Sequence, residues 1–308
     1  MGVIVSTIDI VDAVLAATED YRNSNENFKA GWFAPNVPAK KKTGSIPRFG
    51  RENQKLQNFE VAPSADSPRV DYSIGTTAYD CKVHRGSTVL EKETEEFDDT
   101  DMLDAVELGL QVEEALAIEK EYKVATVLNA YTGFTLNGTP STKFGTPGAE
   151  PGLFMDTAKL AVRTKINRVP RHLGCSPDVG FALQRYVAQM GYGGGKTSMA
   201  TLADVAAFFD LDEVEMALCQ YDSAKPGKTS VAADMYEAGR MWLFYKPSTL
   251  GTKTPCFMVT PEYTGGLSKI RVEPLAAPHV EGIFIEHRYV YDTVTVDQTA
   301  CYAGYSLL

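Results

Sequence analysis

The sequence lacks the features that mark several large classes of protein. It has no run of about 18 or more apolar residues, so no segment is predicted to span a bilayer. Its start, MGVIVSTIDIVDAVLA, has no basic segment and carries Asp9 and Asp12 within its apolar stretch, so no secretory signal is expected. Basic residues are also in deficit, with 30 Lys and Arg against 40 Asp and Glu and a net charge of -10. This balance argues against a protein that coats nucleic acid with its whole surface.

Cysteine and histidine are scarce, with five and four residues among 308. The cysteines are scattered and contain no CxxC pair, and a chain of this length needs no disulfide framework to fold. We therefore expect reduced thiols in a cytoplasmic setting. The one tight Cys/His pair, Cys81 and His84, has no second pair at metal-site spacing. Neither a metal site nor a cofactor is predicted.

No catalytic motif is complete. The sequence has neither a GxSxG elbow nor an HExxH pair. Gly195-Lys196-Thr197 resembles the end of a phosphate-binding loop, but the first glycine of that motif falls on Met190, which leaves the nest of backbone N–H groups one residue short. The carboxylates Glu113 and Glu114 lie on a helix that we expect to be solvated or to face a partner. We predict no catalytic residue.

Charge is sorted into two blocks. Between Phe28 and Asn58 there are seven basic residues and one acidic residue. Between Glu91 and Glu121 there are 13 acidic residues and two basic ones. Each block is explained equally well as a solvated face or as a contact, in which the basic segment lies across an acidic element of a neighbouring molecule.

The region from Asn23 to Ala65 has too few apolar residues to form a core of its own, because their burial would not offset the entropy of ordering. It is nevertheless too aromatic for a free linker, with Trp32 and Phe33 adjacent to each other. We expect an extended arm and a long loop whose aromatic residues dock on another surface, either this chain's own core or a neighbouring subunit. The run from Val70 to Arg85 alternates in places and suits a protruding hairpin.

Apolar spacing without proline predicts a long helix from Asp101 to about Ala130, and the glycine- and proline-rich stretch from Thr132 to Gly152 then breaks the chain. A compact α/β module is predicted to follow, and a strand-rich tail closes the sequence. The predicted elements of the module are a helix at 153–167, a strand at 171–175, helices at 178–189 and 202–209, and strands at 213–222, 241–246 and 255–263.

This order of elements resembles that of tailed-bacteriophage major capsid proteins with the Hong Kong 97-like fold. NRVPRHLGCSPDVGFALQRY (167–186) is similar to the segment of that family in which a short strand leads through a proline into a helix. LADVAAFFDLDEVEMALCQYDSAK (202–225) is similar to its helix, turn and strand. YVYDTVTVDQTACYAGYSLL (289–308) is similar to its terminal strands, so that the resemblance extends over essentially the whole chain.

The resemblance implies an α+β fold with five parts. These are an N-terminal arm at 1–45, an extended β-hairpin loop at 46–92, a peripheral domain with a spine helix at 93–149, an axial domain at 150–265 and further peripheral strands at 266–308. A flexible loop of the axial domain would contain Gly191, Gly193, Gly194, Gly195 and Lys196. The residues expected to contact neighbouring copies are Trp32, Phe33, Lys40, Lys41, Lys42, Arg48, Arg51, Glu93, Glu95, Glu96, Asp98 and Asp99.

The implied function is that of a structural protein of the virion, assembled in the host cytoplasm and without enzymatic activity. Its partners would be copies of itself in hexamers and pentamers, a separate scaffolding protein and a portal protein, with decoration proteins a further candidate. The shell would enclose double-stranded DNA without reading its sequence and would involve no membrane. Two alternatives stay open: an encapsulin-like compartment with the same fold, and a cytosolic α/β nucleotide-binding enzyme that uses Lys196.

Overall fold

A computed structural model describes residues 27–48, 60, 69, 73–91, 105–130, 133–191, 199–224, 228–247, 256–265, 269–277 and 280–308. Its helices are α1 (Ala30–Phe33), α2 (Ala105–Asn129), α3 (Pro151–Ile166), α4 (Pro177–Gln189) and α5 (Leu202–Phe208). Its first strands are β1 (Asn36–Ala39), β2 (Thr43–Arg48), β3 (Gly75–Asp80), β4 (Lys82–Glu91), β5 (Asn137–Gly138), β6 (His172–Cys175) and β7 (Glu213–Met216). The remaining strands are β8 (Gln220–Asp222), β9 (Ala232–Asp234), β10 (Met241–Phe244), β11 (Met258–Tyr263), β12 (Ile270–Ala277), β13 (Val280–Tyr291), β14 (Val294–Thr295) and β15 (Cys301–Gly304).

The helix ends follow local rules that can be read from the sequence. Pro177 opens α4, where the missing N–H costs nothing because the first turn has no acceptor for it. Thr201 begins α5 with a capping box in which its hydroxyl and the Asp204 carboxylate bond each other's backbone N–H. Asn167 ends α3 in the left-handed region at φ 55°. The predicted helices of the module are therefore confirmed to within one or two residues.

The first sheet is built around β13, the longest strand among the described residues. One side of β13 pairs with β4 from Gly282 to Tyr291, and the other side pairs with β12 and then with β11. Strand β1 joins the far edge parallel to β11, and β14 pairs with β11 as well. The first half of α2 lies on this sheet, where Val112 and Leu116 pack against Tyr289 and Tyr291.

Two strand predictions need correction. The run from Val70 to Arg85 does not fold into a hairpin of its own, because β3 pairs with β2 while β4 pairs with β13. The two strands are separated by Cys81 alone, so the chain leaves the β2–β3 ribbon and enters the large sheet within one residue. The predicted strand at 213–222 is two short strands, β7 and β8, which belong to different sheets.

The second sheet carries the main core and has the order β5-β15-β10-β6-β7 among the described residues. The second half of α2 packs on it through Trp242, whose indole N–H donates to the carbonyl of Leu128 at 3.0 Å. Helix α3 lies against β10 and β15. Helix α2 therefore connects the two sheets, because its first half covers one and its second half covers the other.

Gly174 in β6 packs closely against Phe33 of α1. A Cβ at this position would lie 2.3 Å from two ring atoms of Phe33. No real Cβ approaches a neighbour so closely, so any larger residue would displace the Phe33 ring.

We predict that Gly174→Ala lowers the free energy of unfolding by about 1–3 kcal/mol, because the added methyl group overpacks the site. Urea unfolding of the purified chain measures this. Gly31→Ala is the matched control, since nothing lies within 4 Å of a Cβ built there. Equal stabilities of the two variants would contradict the packing described here.

Candidate functional site

The first described residues of the chain pack on the body of the protein around α1, and we call residues 28–34 the anchor. Phe33 is 1% exposed and packs among Tyr236, Trp242 and Phe244, with ring centroids 5.7 to 5.8 Å apart. The Trp32 ring lies 5.0 Å from Phe244, and its indole N–H donates to the Glu213 carboxylate. Of the two surfaces considered from the sequence, the anchor thus docks on this chain's own core. The Phe33 ring consequently has no surface left for a neighbouring copy.

A buried carboxylate on α2 holds the anchor in place. Glu121 is 0% exposed and accepts hydrogen bonds from the backbone N–H of Lys29 at 3.0 Å and of Ala30 at 2.6 Å. The Tyr236 hydroxyl donates to the same carboxylate. Burial raises the pKa of Glu121 above 4.5, although these hydrogen bonds and the nearby Lys120 oppose the shift.

Two further glutamates fasten α2 to the first sheet. Glu113 is 1% exposed and accepts from the Tyr289 hydroxyl at 2.9 Å, and it lies 3.1 Å from Nδ1 of His287. Glu119 lies 3.0 Å from Nδ1 of His84 on β4 and 3.1 Å from the Lys123 ammonium. Burial raises the pKa of Glu119, but Lys123 and His84 more than offset this, so that the net shift is downward. The expectation that Glu113 is solvated or partner-facing is wrong.

The sequence carries a signal for the burial of Glu121 and Glu113. Glu121 lies three and seven residues before Val124 and Leu128, and it therefore shares their buried helix face. Glu113 similarly lies three residues before Leu116. A carboxylate on an apolar helix face requires hydrogen-bond donors from elsewhere in the chain, because an unpaired buried charge is very costly.

Exposed lysines cluster where β1, β2 and β4 meet, and we call Lys40, Lys41, Lys42 and Lys82 the basic bend. The first three form the turn between β1 and β2, and Lys82 is the first residue of β4. The backbone N–H of Cys81 donates to the Lys42 carbonyl at 2.9 Å, which brings the turn beside the start of β4. All four side chains are exposed, and none forms an ion pair within the part of the chain that the structure describes. Lys82 was not identified from the sequence.

The other predicted site residues are placed as follows. Arg48 ends β2, with one guanidinium nitrogen 3.9 Å from Asp297. Gly191 follows α4 with φ 77°, a left-handed conformation that favours glycine. A phosphate-binding loop follows a strand, whereas this loop follows helix α4, which does not fit the nucleotide-binding alternative. The predicted residues outside the described part of the chain are Arg51, Glu93, Glu95, Glu96, Asp98, Asp99, Gly193, Gly194, Gly195 and Lys196.

The cysteines are unsuited to nucleophilic chemistry. All five are free and buried, and burial raises the pKa of each thiol, to about 12 at Cys175 and Cys219 and to about 11 at Cys256. Thiols with such pKa values hold almost no thiolate at neutral pH. In the described ranges, no group of three His, Cys, Asp or Glu side chains is arranged to hold a metal ion. No described helix has both the length and the apolar character needed to cross a membrane.

Two clefts lie beside these elements. One of about 280 Å³ is bordered by α1, α2 and β13 and is lined by residues that include Phe28, Lys120 and Glu262. Another of about 640 Å³ lies between α3 and the end of α5, beside Leu160 and Phe208. Neither is lined by a cysteine, a histidine or a serine, so neither offers one of these common nucleophiles or bases.

Comparison with known proteins identifies the fold. No protein-family model and no curated protein sequence matches the chain. Among solved structures, a phage-related protein from Bordetella bronchiseptica matches with a TM-score of 0.70 and 17% identity, over 100% of this chain and 98% of that chain. The capsid of cyanophage P-SCSP1u matches with a TM-score of 0.59 and 11% identity, over 89% and 86%. A virus-like particle from Pyrococcus furiosus matches with a TM-score of 0.57 and 11% identity, over 95% and 98%.

The architecture is therefore that of shell-forming capsid proteins. More specifically, the chain has the tailed-phage capsid fold of the Hong Kong 97-like type, with an α+β composition. The fold resemblance inferred from the sequence is confirmed.

We predict that Phe33→Ala lowers the free energy of unfolding of the isolated chain by about 3–5 kcal/mol, since it removes a buried aromatic ring. Denaturant unfolding of non-assembled protein measures this. Phe181→Ala is the matched control, because the Phe181 ring is 43% exposed and its loss should cost far less. Unchanged stability in Phe33→Ala would mean that the ring docks on another molecule instead.

The buried carboxyl of Glu121 is expected to make the stability of the chain depend on pH. Because burial raises the pKa of its carboxyl in the folded state, the folded chain binds this proton more tightly than the unfolded chain. Protonation of Glu121 therefore contributes to the free energy of unfolding. This contribution is complete below the pKa of the carboxyl in the unfolded chain, near 4.5, and is lost as the pH rises through its pKa in the folded chain. Glu121→Gln should therefore lose less stability than the wild type between about pH 4.5 and 7.

Urea unfolding at a series of pH values measures this difference in slope. Glu107→Gln is the control, because Glu107 is an exposed glutamate near the start of the same helix. Parallel pH profiles for wild type and Glu121→Gln would show that the buried carboxyl does not bind its proton more tightly in the folded state.

Proposed function

We propose that this chain is the major capsid protein of a tailed bacteriophage or prophage. Copies of it assemble into pentamers and hexamers of an icosahedral shell that encloses double-stranded DNA without sequence-specific binding. A separate scaffolding protein and a portal protein are its proposed partners, the virion is its proposed location, and it catalyses no reaction. The main support is the fold likeness, which extends over the full chain in the Bordetella bronchiseptica phage-related protein and over 89% of it in the cyanophage capsid.

The electrostatics of the surface support the same proposal. The basic bend is exposed and unpaired among the described residues, although the chain as a whole carries a net charge of -10. Complementary charged surfaces on neighbouring copies set the register of their contact, while each contact contributes little binding energy. A shell that closes through many weak interfaces needs contacts of this kind. We therefore propose that Lys40, Lys41, Lys42 and Arg48 contact neighbouring copies.

The proposal predicts closed particles, or five- and six-membered rings, in electron micrographs of the full chain produced with its scaffolding partner. Raising NaCl from about 0.1 M to about 1 M shortens the screening length from about 10 Å to about 3 Å. Sedimentation velocity should therefore show a shift toward smaller species at high salt.

The contents of the particles separate the two kinds of shell. Nuclease-protected DNA is expected for a viral head, whereas particles that hold a protein cargo and no DNA would indicate an encapsulin-like compartment. A monomer at every salt concentration, with the scaffolding partner present, would contradict a shell function of either kind.

A further inference from the structure

Helix α3 carries exposed apolar side chains on the side that faces away from the second sheet. Met155, Ala158 and Val162 are buried on the sheet side, whereas Leu153 is 63% exposed and Leu160 is 58% exposed. The two leucines are seven residues apart, which is about two turns, so they lie on the same face of the helix. Together they form an apolar strip that is open to water.

Two threonines extend this strip into a regular seam. Thr157 and Thr164 are exposed, and each hydroxyl donates to the carbonyl four residues earlier at 2.8 Å. Because these hydroxyls bond within the helix, the γ-methyl groups are left to make outside contacts. The spacing of Leu153, Thr157, Leu160 and Thr164 alternates between four and three residues, which is the repeat of helices that pair with one another. We call these four residues the seam.

Opposite charges flank the seam. Asp156 and Arg163 are exposed on the same edge of it, and neither forms an ion pair with another described side chain. They are seven residues apart, about 10 Å along the helix, so they cannot pair with each other. The ammonium of Lys159, the nearest cation to Asp156 in sequence, donates to the backbone carbonyl of Asp210 at 3.3 Å. Both flanking charges therefore remain available to a partner.

This pattern is complementary to itself when the two helices run in opposite directions. Rotating a copy of α3 by 180° about an axis beside residues 158 and 159 places Leu153 opposite Thr164, and Thr157 opposite Leu160. The same rotation brings Asp156 of each copy beside Arg163 of the other, which gives two charge pairs in one contact. In a parallel pair each of these residues would lie level with itself, and the opposite charges would not meet.

We propose that α3 of one copy packs against α3 of a second copy in an antiparallel, two-fold symmetric contact. The occupant of the seam is thus a second copy of this chain. The inference rests on the proposed shell function and specifies one contact within it. An icosahedral shell has two-fold axes in addition to its rings, and a contact across such an axis is self-complementary in the way that α3 is.

Disulfide trapping in the full-length chain tests this contact. One variant carries Leu153→Cys and another carries Thr164→Cys, both at exposed positions, and the five native cysteines are buried. Particles assembled from an equimolar mixture with the scaffolding partner, then oxidised with diamide, should give disulfide-linked dimers on non-reducing gels. Each variant alone should give about tenfold fewer dimers, because equivalent cysteines would lie about 16 Å apart and a disulfide needs Cα atoms within about 7 Å.

The pattern of cross-links decides both the orientation and the existence of the contact. Dimers formed equally well by Leu153→Cys alone would overturn the antiparallel arrangement. The matched control is a mixture of Phe181→Cys and Thr164→Cys, because Phe181 is 43% exposed but lies on α4, outside the seam. This control should remain monomeric on the gel, and cross-linking equal to that of the test mixture would overturn the inference.

Charge exchange tests the same contact independently. Adding Asp156→Arg to both chains of the test mixture places arginine beside arginine and should lower the yield of dimers about tenfold. Adding Arg163→Asp to the same chains exchanges the two charges and should restore the yield. Since residues 156 and 163 of one chain cannot pair with each other, recovery would support a contact between copies, and failure to recover would overturn it.

The outcomes also separate this contact from the shell function. Well-formed particles in which the test mixture gives no dimers would overturn the contact and leave the shell function intact. Failure of the unmodified chain to form particles would instead contradict the shell function itself.

Discussion

The structure depends on one long helix that is shared by two sheets and held by buried carboxylates. The first half of α2 is fastened to β13 through Glu113, and its second half receives the anchor through Glu121. Both carboxylates are buried, and burying a carboxylate without partners costs much free energy. Backbone N–H groups, tyrosine hydroxyls or a histidine around each of them offset this cost. The positions of both sheets relative to the helix, and the position of the anchor on it, follow from these contacts.

The anchor then fixes the direction of β1, the strand that follows it. With Phe33 seated against Gly174 and Trp242, β1 continues parallel to β11 and delivers the lysine turn to the start of β4. The position of the basic bend is thus a consequence of aromatic packing in the core. A surface that we propose to contact other copies is therefore positioned by aromatic packing within this chain's own core.

Elements whose signals are local could be predicted from the sequence. Helices α3, α4 and α5 follow from apolar spacing together with a proline or a capping box, and these signals operate within a few residues. The capsid-like fold could be inferred because the order of such elements covers the whole chain. The lysine turn was identified from composition alone.

Features that depend on partners distant in the chain could not be predicted from local sequence patterns. The burial of Glu121 requires Tyr236, 115 residues later, and the burial of Glu113 requires His287, 174 residues later. The Phe33 ring has room to dock only because Gly174 has no side chain. Lys82 joins the basic bend only because β3 and β4 separate at Cys81, and strand pairing of this kind is not encoded in either strand alone.

The pairing of β4 with β13 has a consequence for biosynthesis. Strand β4 leaves the ribosome long before Val280–Tyr291, the only strand that it pairs with among the described residues, and β1 likewise precedes its partner Met258–Tyr263 by more than two hundred positions. Domains form as units, and pairings between distant segments are slow to close. A nascent chain therefore cannot complete the first sheet until the residues up to Tyr291 have been synthesised. Until Val280–Tyr291 has been made, β4 lacks the strand with which it pairs in the described structure, and its backbone N–H and C=O groups form an open strand edge.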